Sequence, residues 1–132
     1  MKIILSVLCL TIVLMASSAW AESVHPGIAT AHRDSFQSAM AMHIEEVTEQ
    51  NGNGMYPVFD PETNTVVQLK FKDFHDSVEI KGRKTPYFIS CADFTAEDGT
   101  VYDLDFLVSP QYGIVGTLVH SKNGKYISYD IP

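Results

Sequence analysis

Hydrophobic and polar positions follow two different periods along this chain. From residue 30 to residue 50, apolar residues recur at helical spacing and lie within one broad arc. The arc consists of Ala29, His32, Phe36, Ala39, Met40, His43, Ile44 and Val47. Thr30 is a suitable N-cap, and Asn51-Gly52-Asn53-Gly54 tolerates the left-handed backbone that ends a helix. The pattern predicts one amphipathic helix over residues 30–50.

After residue 55 the pattern changes to segments rich in β-branched and aromatic residues, which are typical of strands. The predicted strands cover residues 56–59, 65–72, 76–81, 86–95, 101–108, 113–121 and 125–131. Turn signals separate them at Asp60-Pro61, Gly82, Asp98-Gly99, Pro110 and Asn123-Gly124. Because the connections are short, we expect an antiparallel meander. The predicted fold class is α+β, with one N-terminal helix packed on this sheet.

The turn at residues 97–99 decides which side chains share a face of the sheet. A two-residue turn would pair Asp93 with Leu104 and place a carboxylate among apolar neighbours. A three-residue turn with Gly99 in the left-handed region and a bulge pairs Asp93 with Asp103 instead, and we predict this register. One face then carries Phe88, Ala92, Phe94, Tyr102, Leu104, Phe106 and Val108, and the other carries Ile89, Cys91, Asp93, Asp103, Asp105 and Leu107.

In this register, Asp93, Asp103 and Asp105 crowd together on one face. Three close carboxylates destabilise a sheet unless a cation, a histidine or protonation relieves their repulsion. One functional interpretation is a divalent-metal site, for which oxygen ligands favour calcium. Another is a carboxylate pair with one raised pKa, suited to acid–base chemistry. The alternative is an exposed strand face whose hydrated charges discourage edge pairing.

Histidines supply the other candidate chemistry. His43 lies near the middle of the helical arc, with Glu46 one turn further on, so the two could form the acid–base pair of a small enzyme. Alternatively, His43 is a core residue whose ring nitrogens have local partners. We expect turn or strand-end roles for His75 and His120, although either could approach the acidic face. Cys91 shares that face, where nearby carboxylates should raise its pKa and make it a poor nucleophile.

The N-terminal segment has the three parts of a secretory signal peptide. Lys2 supplies a positive charge, residues 3–15 form an apolar run, and Ala19-Trp20-Ala21 places small residues at the positions that signal peptidase recognises. We therefore predict cleavage after Ala21, which leaves residues 22–132 as a single domain. The apolar run is too short to span a bilayer, so no membrane span is expected after cleavage.

Composition narrows the compartment and the partners. The 132-residue chain has 9 basic and 16 acidic residues and a formal net charge of −7, which disfavours nucleic acid and anionic membranes as partners. Loss of Cys9 with the leader leaves Cys91 without an intramolecular disulfide partner, so a bacterial periplasmic or secreted protein is expected. The hydrolase, Walker-loop and dinucleotide motifs are absent, and no cofactor is predicted.

The order of elements over residues 30–131 resembles the cystatin-like α+β roll, which also underlies nuclear-transport-factor-2-like domains. The chain lacks the Gln-x-Val-x-Gly and Pro-Trp loops of cystatins, so inhibition of papain-type proteases is not implied. Residues 91–106 and 120–124 are also similar to segments of small bacterial secreted proteins, and this similarity implies no activity.

Taken together, these features predict a non-catalytic extracytoplasmic binding or interaction module for a protein, peptide or small-molecule ligand. Two alternatives remain open. One is a small enzyme that uses a pocket histidine–carboxylate pair, and the other is a divalent-metal-binding protein.

Overall fold

A computed structural model describes residues 30–132, which form one helix and one six-stranded antiparallel sheet. The elements are α1 Thr30–Gln50, β1 Tyr56–Asp60, β2 Thr65–Lys81, β3 Tyr87–Ala96, β4 Val101–Val108, β5 Ile114–Lys122 and β6 Lys125–Tyr126. Strands that are consecutive in the chain are neighbours in the sheet, so the predicted α+β class and meander are confirmed. The predicted signal peptide at residues 1–21 lies outside the described residues. Within residues 30–132, no helix combines the length and apolar character needed to cross a membrane.

Two of the predicted strand assignments were wrong. Residues 65–72 and 76–81 form the single strand β2, because Asp73 and Phe74 between them stay paired with β3. The register shifts on either side of this pair, between Phe71 and Asp73 and between Phe74 and Val78, are bulges and not turns. The last predicted strand, 125–131, is paired with β5 only at Lys125 and Tyr126. Beyond Tyr126 the chain leaves the sheet as a C-terminal tail of residues 127–132, whose Ile131 is buried.

The β3–β4 hairpin has the predicted bulged register. Asp93 lies opposite Asp103, and Phe94 lies opposite Tyr102. Gly99 has a φ of 85°, which residues with a side chain rarely adopt, and its N–H donates to the carbonyl of Ala96 across 3.0 Å. This turn directs one set of side chains toward α1, on what we call the inner face, and the other set away from it, on the outer face.

The hydrophobic core lies between α1 and the inner face. Phe36, Met40 and Ile44 of the predicted helical arc are buried, together with the inner side chains of β3 and β4. The ring of Phe36 packs against the ring of Phe88, with 4.8 Å between the two centroids. The periodicity of α1 therefore identified the packed face correctly, since burial of apolar area is the main driving force for this contact.

The sheet also curls, so that β1 covers part of the inner face beside α1. Asp60, at the end of β1, accepts hydrogen bonds from the Tyr102 hydroxyl (2.9 Å) and from the Lys122 ammonium (2.8 Å). Burial alone would raise the pKa of Asp60, but these hydrogen bonds outweigh burial and hold the pKa below its usual value. Asp60 thus ties β1 to β4 and β5.

We expect Phe36→Ala to lower the free energy of unfolding by about 3 to 5 kcal/mol, because it leaves a cavity in the core. Met42→Ala on the same helix is the matched control, since Met42 is 71% exposed and its truncation should change stability by less than about 0.5 kcal/mol. Urea denaturation measures both. Equal effects of the two substitutions would show that the packed face of α1 is assigned wrongly.

We expect the contribution of the Asp60–Lys122 ion pair to the free energy of unfolding to depend on pH. A carboxylate whose pKa is lower in the folded state stabilises the fold above its unfolded pKa of about 3.9 and loses that contribution as the pH falls through the folded value. The stability difference between the wild type and Lys122→Met should therefore be full at pH 7 and shrink below about pH 4. Chemical denaturation at several pH values measures it, and a difference that is constant down to pH 2 would contradict this assignment.

Candidate functional site

The outer face of β3 and β4 brings together three kinds of metal-ligating side chain. Asp93 and Cys91 of β3 lie opposite Asp103 and Asp105 of β4, respectively. Histidines from the flanking strands reach the same surface, where His75 lies 3.1 Å from Asp93 and His120 lies 2.9 Å from Asp105. We call this group the outer-face cluster, and it consists of His75, Cys91, Asp93, Asp103, Asp105 and His120.

Each histidine of the cluster sits at a bulge. In β2, the three residues 75–77 lie opposite the single residue Cys91 of β3, because the register shifts between Phe74 and Val78. In β5, His120 is the extra residue where the register with β4 shifts between Asp103 and Leu104. A bulge redirects a side chain that regular alternation would place elsewhere. The expected turn or strand-end roles of His75 and His120 are therefore replaced by positions beside the acidic residues.

Asp105 is fully buried and is surrounded by donors. Its carboxylate accepts a hydrogen bond from the Cys91 thiol, with Sγ 2.7 Å from Oδ1, and another from the Tyr129 hydroxyl. His120 Nδ1 lies 2.9 Å from Oδ2, and Lys81 Nζ lies 3.9 Å from the same oxygen. A buried carboxylate requires such partners because it has lost its hydration. The hydrated-surface interpretation of the acidic face is thus wrong for Asp105.

The other half of the cluster is less completely paired. His75 Nε2 lies 3.1 Å from Asp93 Oδ1, and His75 Nδ1 lies 3.9 Å from Asp103 Oδ1. Asp103 Oδ1 is buried and has no hydrogen-bond partner among residues 30–132. Burial is the main cause of a raised pKa at Asp103; the two histidines oppose the rise, and Asp105 and Asp93 add to it. This oxygen is the least satisfied acceptor of the outer-face cluster.

The Cys91 thiol is held in its protonated form. Burial raises its pKa most, and the adjacent carboxylate of Asp105 raises it further. The carboxylate effect matches the expectation from sequence, whereas the larger effect of burial depends on the tertiary structure. Because the thiolate is the nucleophilic form, Cys91 is poorly suited to covalent catalysis in this environment.

Two overlapping sets of donor atoms could each hold a metal ion. The ligand atoms of His75, Cys91 and Asp103 lie within 4.8 Å of one another, and so do those of Cys91, Asp105 and His120. Cys91 belongs to both sets. Asp93, which was predicted as a ligand, belongs to neither, but it contacts the ring of His75. The mixture of nitrogen, sulfur and oxygen donors differs from the oxygen-only set that the sequence suggested.

Sequence reasoning did not identify Lys81 and Tyr129 as neighbours of Asp105. The alternation of side chains along β2 could have indicated Lys81. Glu79 and Lys81 are two residues apart, so both lie on the outer face once the β2–β3 register is known. Tyr129 lies in the tail, which the sequence pattern assigned to a strand. No sequence signal indicates that the tail contacts Asp105.

The predicted pair His43 and Glu46 lies on the opposite side of the sheet. His43 Nε2 is 3.1 Å from the Tyr56 hydroxyl, which in turn lies 2.9 Å from Thr117 Oγ1. Burial lowers the pKa of His43, while the charge of Glu46 acts in the opposite direction. Both residues border an open groove beside α1. His43 thus has the local partners expected of a residue at the edge of the core.

Comparison with known proteins identifies no relative of this chain, since no family model, curated protein or solved structure matches it. A functional assignment therefore depends on the geometry of the outer-face cluster and of the α1 surface.

We expect the Cys91 thiol to react slowly with a disulfide reagent such as dithionitrobenzoate at pH 8, because burial and Asp105 suppress the thiolate. The control is the same protein in concentrated urea, where Cys91 should react at the rate of an ordinary exposed thiol. Absorbance of the released thiolate gives both rates. Similar rates in the two conditions would mean that the contact between Cys91 and Asp105 does not form in solution.

Proposed function

We propose that this chain is an exported metal-binding protein that holds one divalent transition-metal ion, with zinc as the best match, at the outer-face cluster. The observation that carries the proposal is the convergence of the ligand atoms of His75, Cys91 and Asp103 within 4.8 Å. The Oδ1 atom of Asp103 is buried and lacks a hydrogen-bond partner in the described part of the chain. A metal ion would supply that missing partner. Native structures seldom leave a buried acceptor unpaired without such a reason.

The chemistry of the donors supports zinc over calcium. Zinc is bound by cysteine sulfur, histidine nitrogen and carboxylate oxygen, usually in four-coordinate sites. Calcium requires six to eight oxygen ligands, and this cluster offers them from only three aspartates. The set His75, Cys91 and Asp103 supplies one ligand of each zinc-binding type and leaves a fourth position for water or another group.

The partners of Asp105 favour the set containing His75 over the set containing His120. A metal bound by Cys91, Asp105 and His120 would compete with the Tyr129 hydroxyl and the Lys81 ammonium for the Asp105 carboxylate. No such competitor contacts Asp103 Oδ1 within residues 30–132. Zinc binding would displace the proton of the Cys91 thiol to solvent, because cysteine binds metal as the thiolate. Asp105, whose Oδ1 lies 2.7 Å from the sulfur, would act as a positioning residue for Cys91.

Asp93 also has a supporting role in this proposal. Ligating histidines commonly use their second ring nitrogen to contact a carboxylate, which fixes the orientation of the ring. His75 Nε2 already lies 3.1 Å from Asp93, so its Nδ1 is directed toward Asp103 and is available to a metal. The predicted acidic residues thus divide into one ligand, one ring-orienting residue and one residue that holds the thiol.

We further propose that the protein acts outside the cytoplasm as a non-catalytic binding module with a cystatin-like roll. The tripartite leader supports export, and the order of one helix and a meander supports the roll. The net charge of −7 favours attraction of cations to the protein.

Calorimetric titration of the chelator-treated protein with zinc tests the proposal. We expect one ion per chain and, at zinc concentrations a hundredfold above Kd, a rise in Tm of roughly 10 to 20 °C, because a ligand that binds only the folded state stabilises it. His75→Ala and Asp103→Asn should each weaken binding by more than about tenfold, since each removes a ligand. The matched controls are His32→Ala and Asp34→Asn, two exposed residues on α1.

The sign of the stability change separates the alternatives. If zinc binds, Asp103→Asn should abolish the zinc-dependent rise in Tm. If no metal binds, the same substitution relieves repulsion from Asp93 and Asp105 and should make the protein slightly more stable at neutral pH. A stronger response to calcium than to zinc would support the oxygen-only site, and no heat at millimolar metal would overturn the proposal.

A further inference from the structure

The exposed side of α1 is flanked by two grooves, on the face of the molecule opposite the outer-face cluster. The larger groove, of about 940 Å³, lies between α1 and the start of β5 and reaches Tyr112 and Ile114. The smaller groove, of about 500 Å³, lies between α1 and β2. Glu45 and Glu49 line both grooves, so the two form one continuous surface around the helix.

The larger groove is strongly acidic. Its lining includes Asp34, Glu45, Glu46 and Glu49, and none of the described lining residues is a lysine or an arginine. Asp34 has a neighbouring cation, since Arg33 Nε lies 3.9 Å from its carboxylate. The three glutamates lie further along α1. A groove with walls of one charge concentrates the field and attracts ligands of opposite charge.

The smaller groove adds an apolar contact surface. Ile44, Leu69, Phe71 and Phe74 line it, and the rings of Phe71 and Phe74 lie 4.6 Å apart. Lys70 also lines this groove, where two carboxylates, Glu45 and Glu49, outnumber its single positive charge. Phe71 is 41% exposed even though its ring also reaches the core at Phe94. A large aromatic side chain left exposed inside a concave surface is a typical anchor point for an apolar side chain of a partner.

We propose that this surface binds a cationic peptide segment, whose lysine or arginine side chains contact Glu45 and Glu49 while one aliphatic or aromatic side chain enters the groove at Phe71. Charge complementarity with the larger groove identifies the partner as cationic. The apolar lining around Phe71 in the smaller groove requires an anchor that a simple polycation lacks.

The length of the surface also favours a peptide over a small molecule. From Asp34 to Glu49, α1 extends for roughly 22 Å at 1.5 Å per residue. An extended peptide covers that distance with about seven residues at 3.3 Å each. The larger groove is at the upper end of the usual size range for small-ligand pockets, and it is open along its length.

Three amidated seven-residue peptides, each with a fluorescent label, test this proposal by anisotropy titration against the full protein. The first alternates lysine with leucine, the second alternates lysine with serine, and the third alternates glutamate with leucine. We expect the lysine–leucine peptide to bind at least about tenfold more tightly than the lysine–serine peptide, because only the former has an anchor. The glutamate–leucine peptide should not bind.

Two substitutions locate the binding surface. Glu45→Gln/Glu49→Gln and Phe71→Ser should each weaken binding of the lysine–leucine peptide by on the order of tenfold. The control Glu79→Gln/Asp130→Asn removes the same charge from the outer face of β2 and from the tail, and it should leave binding within about twofold. Circular dichroism confirms that each variant is folded. Equal losses in the Glu45/Glu49 and Glu79/Asp130 double variants, or equal binding of the lysine–leucine and lysine–serine peptides, would overturn the proposal.

Discussion

The register of the β3–β4 hairpin is the constraint on which both faces of this protein depend. Gly99 adopts a φ of 85° and so allows the three-residue turn that places Asp93 opposite Asp103. A slip by one residue would move every side chain of one strand to the other face. A slip of β3 would bring Asp93 into the aromatic core and turn Phe94 away from α1, and a slip of β4 would bring Asp103 and Asp105 into the core. The core and the outer-face cluster therefore form together or not at all.

Burial of Asp105 is the largest cost that this arrangement imposes, since a carboxylate without hydration requires several donors. The chain supplies them from four separate segments, through Cys91 of β3, Lys81 of β2, His120 of β5 and Tyr129 of the tail. The tail thus replaces water over the centre of the sheet. The contact between Tyr129 and Asp105 holds the tail on the protein together with the Arg83–Asp130 ion pair and the buried side chain of Ile131.

Local patterns predicted those parts of the fold that local geometry determines. The apolar arc of α1 and the Asp98-Gly99 turn identified the core, because both depend on spacing within one segment. The joining of two predicted strands into β2 was missed, since a bulge and a turn have similar composition around His75-Asp76. The same bulge places His75 in the outer-face cluster. The composition of the outer-face cluster was therefore only partly predictable, because its aspartates and Cys91 follow from the β3–β4 register whereas its histidines depend on bulges.

The different states of Asp103 and Asp105 follow from their positions on one strand. Both belong to β4 and face outward, yet Asp105 lies beneath the tail and near Lys81, whereas Asp103 lies beside a histidine that already contacts Asp93. The Lys81 ammonium compensates the Asp105 carboxylate, whereas Asp103 Oδ1 has no hydrogen-bond partner among the residues that the structure describes. Asp93 and Asp105 both raise the pKa of Asp103, so a cation at Asp103 would relieve the repulsion among the three carboxylates. The distribution of fixed charges, more than the number of acidic residues, therefore determines where a metal ion would bind.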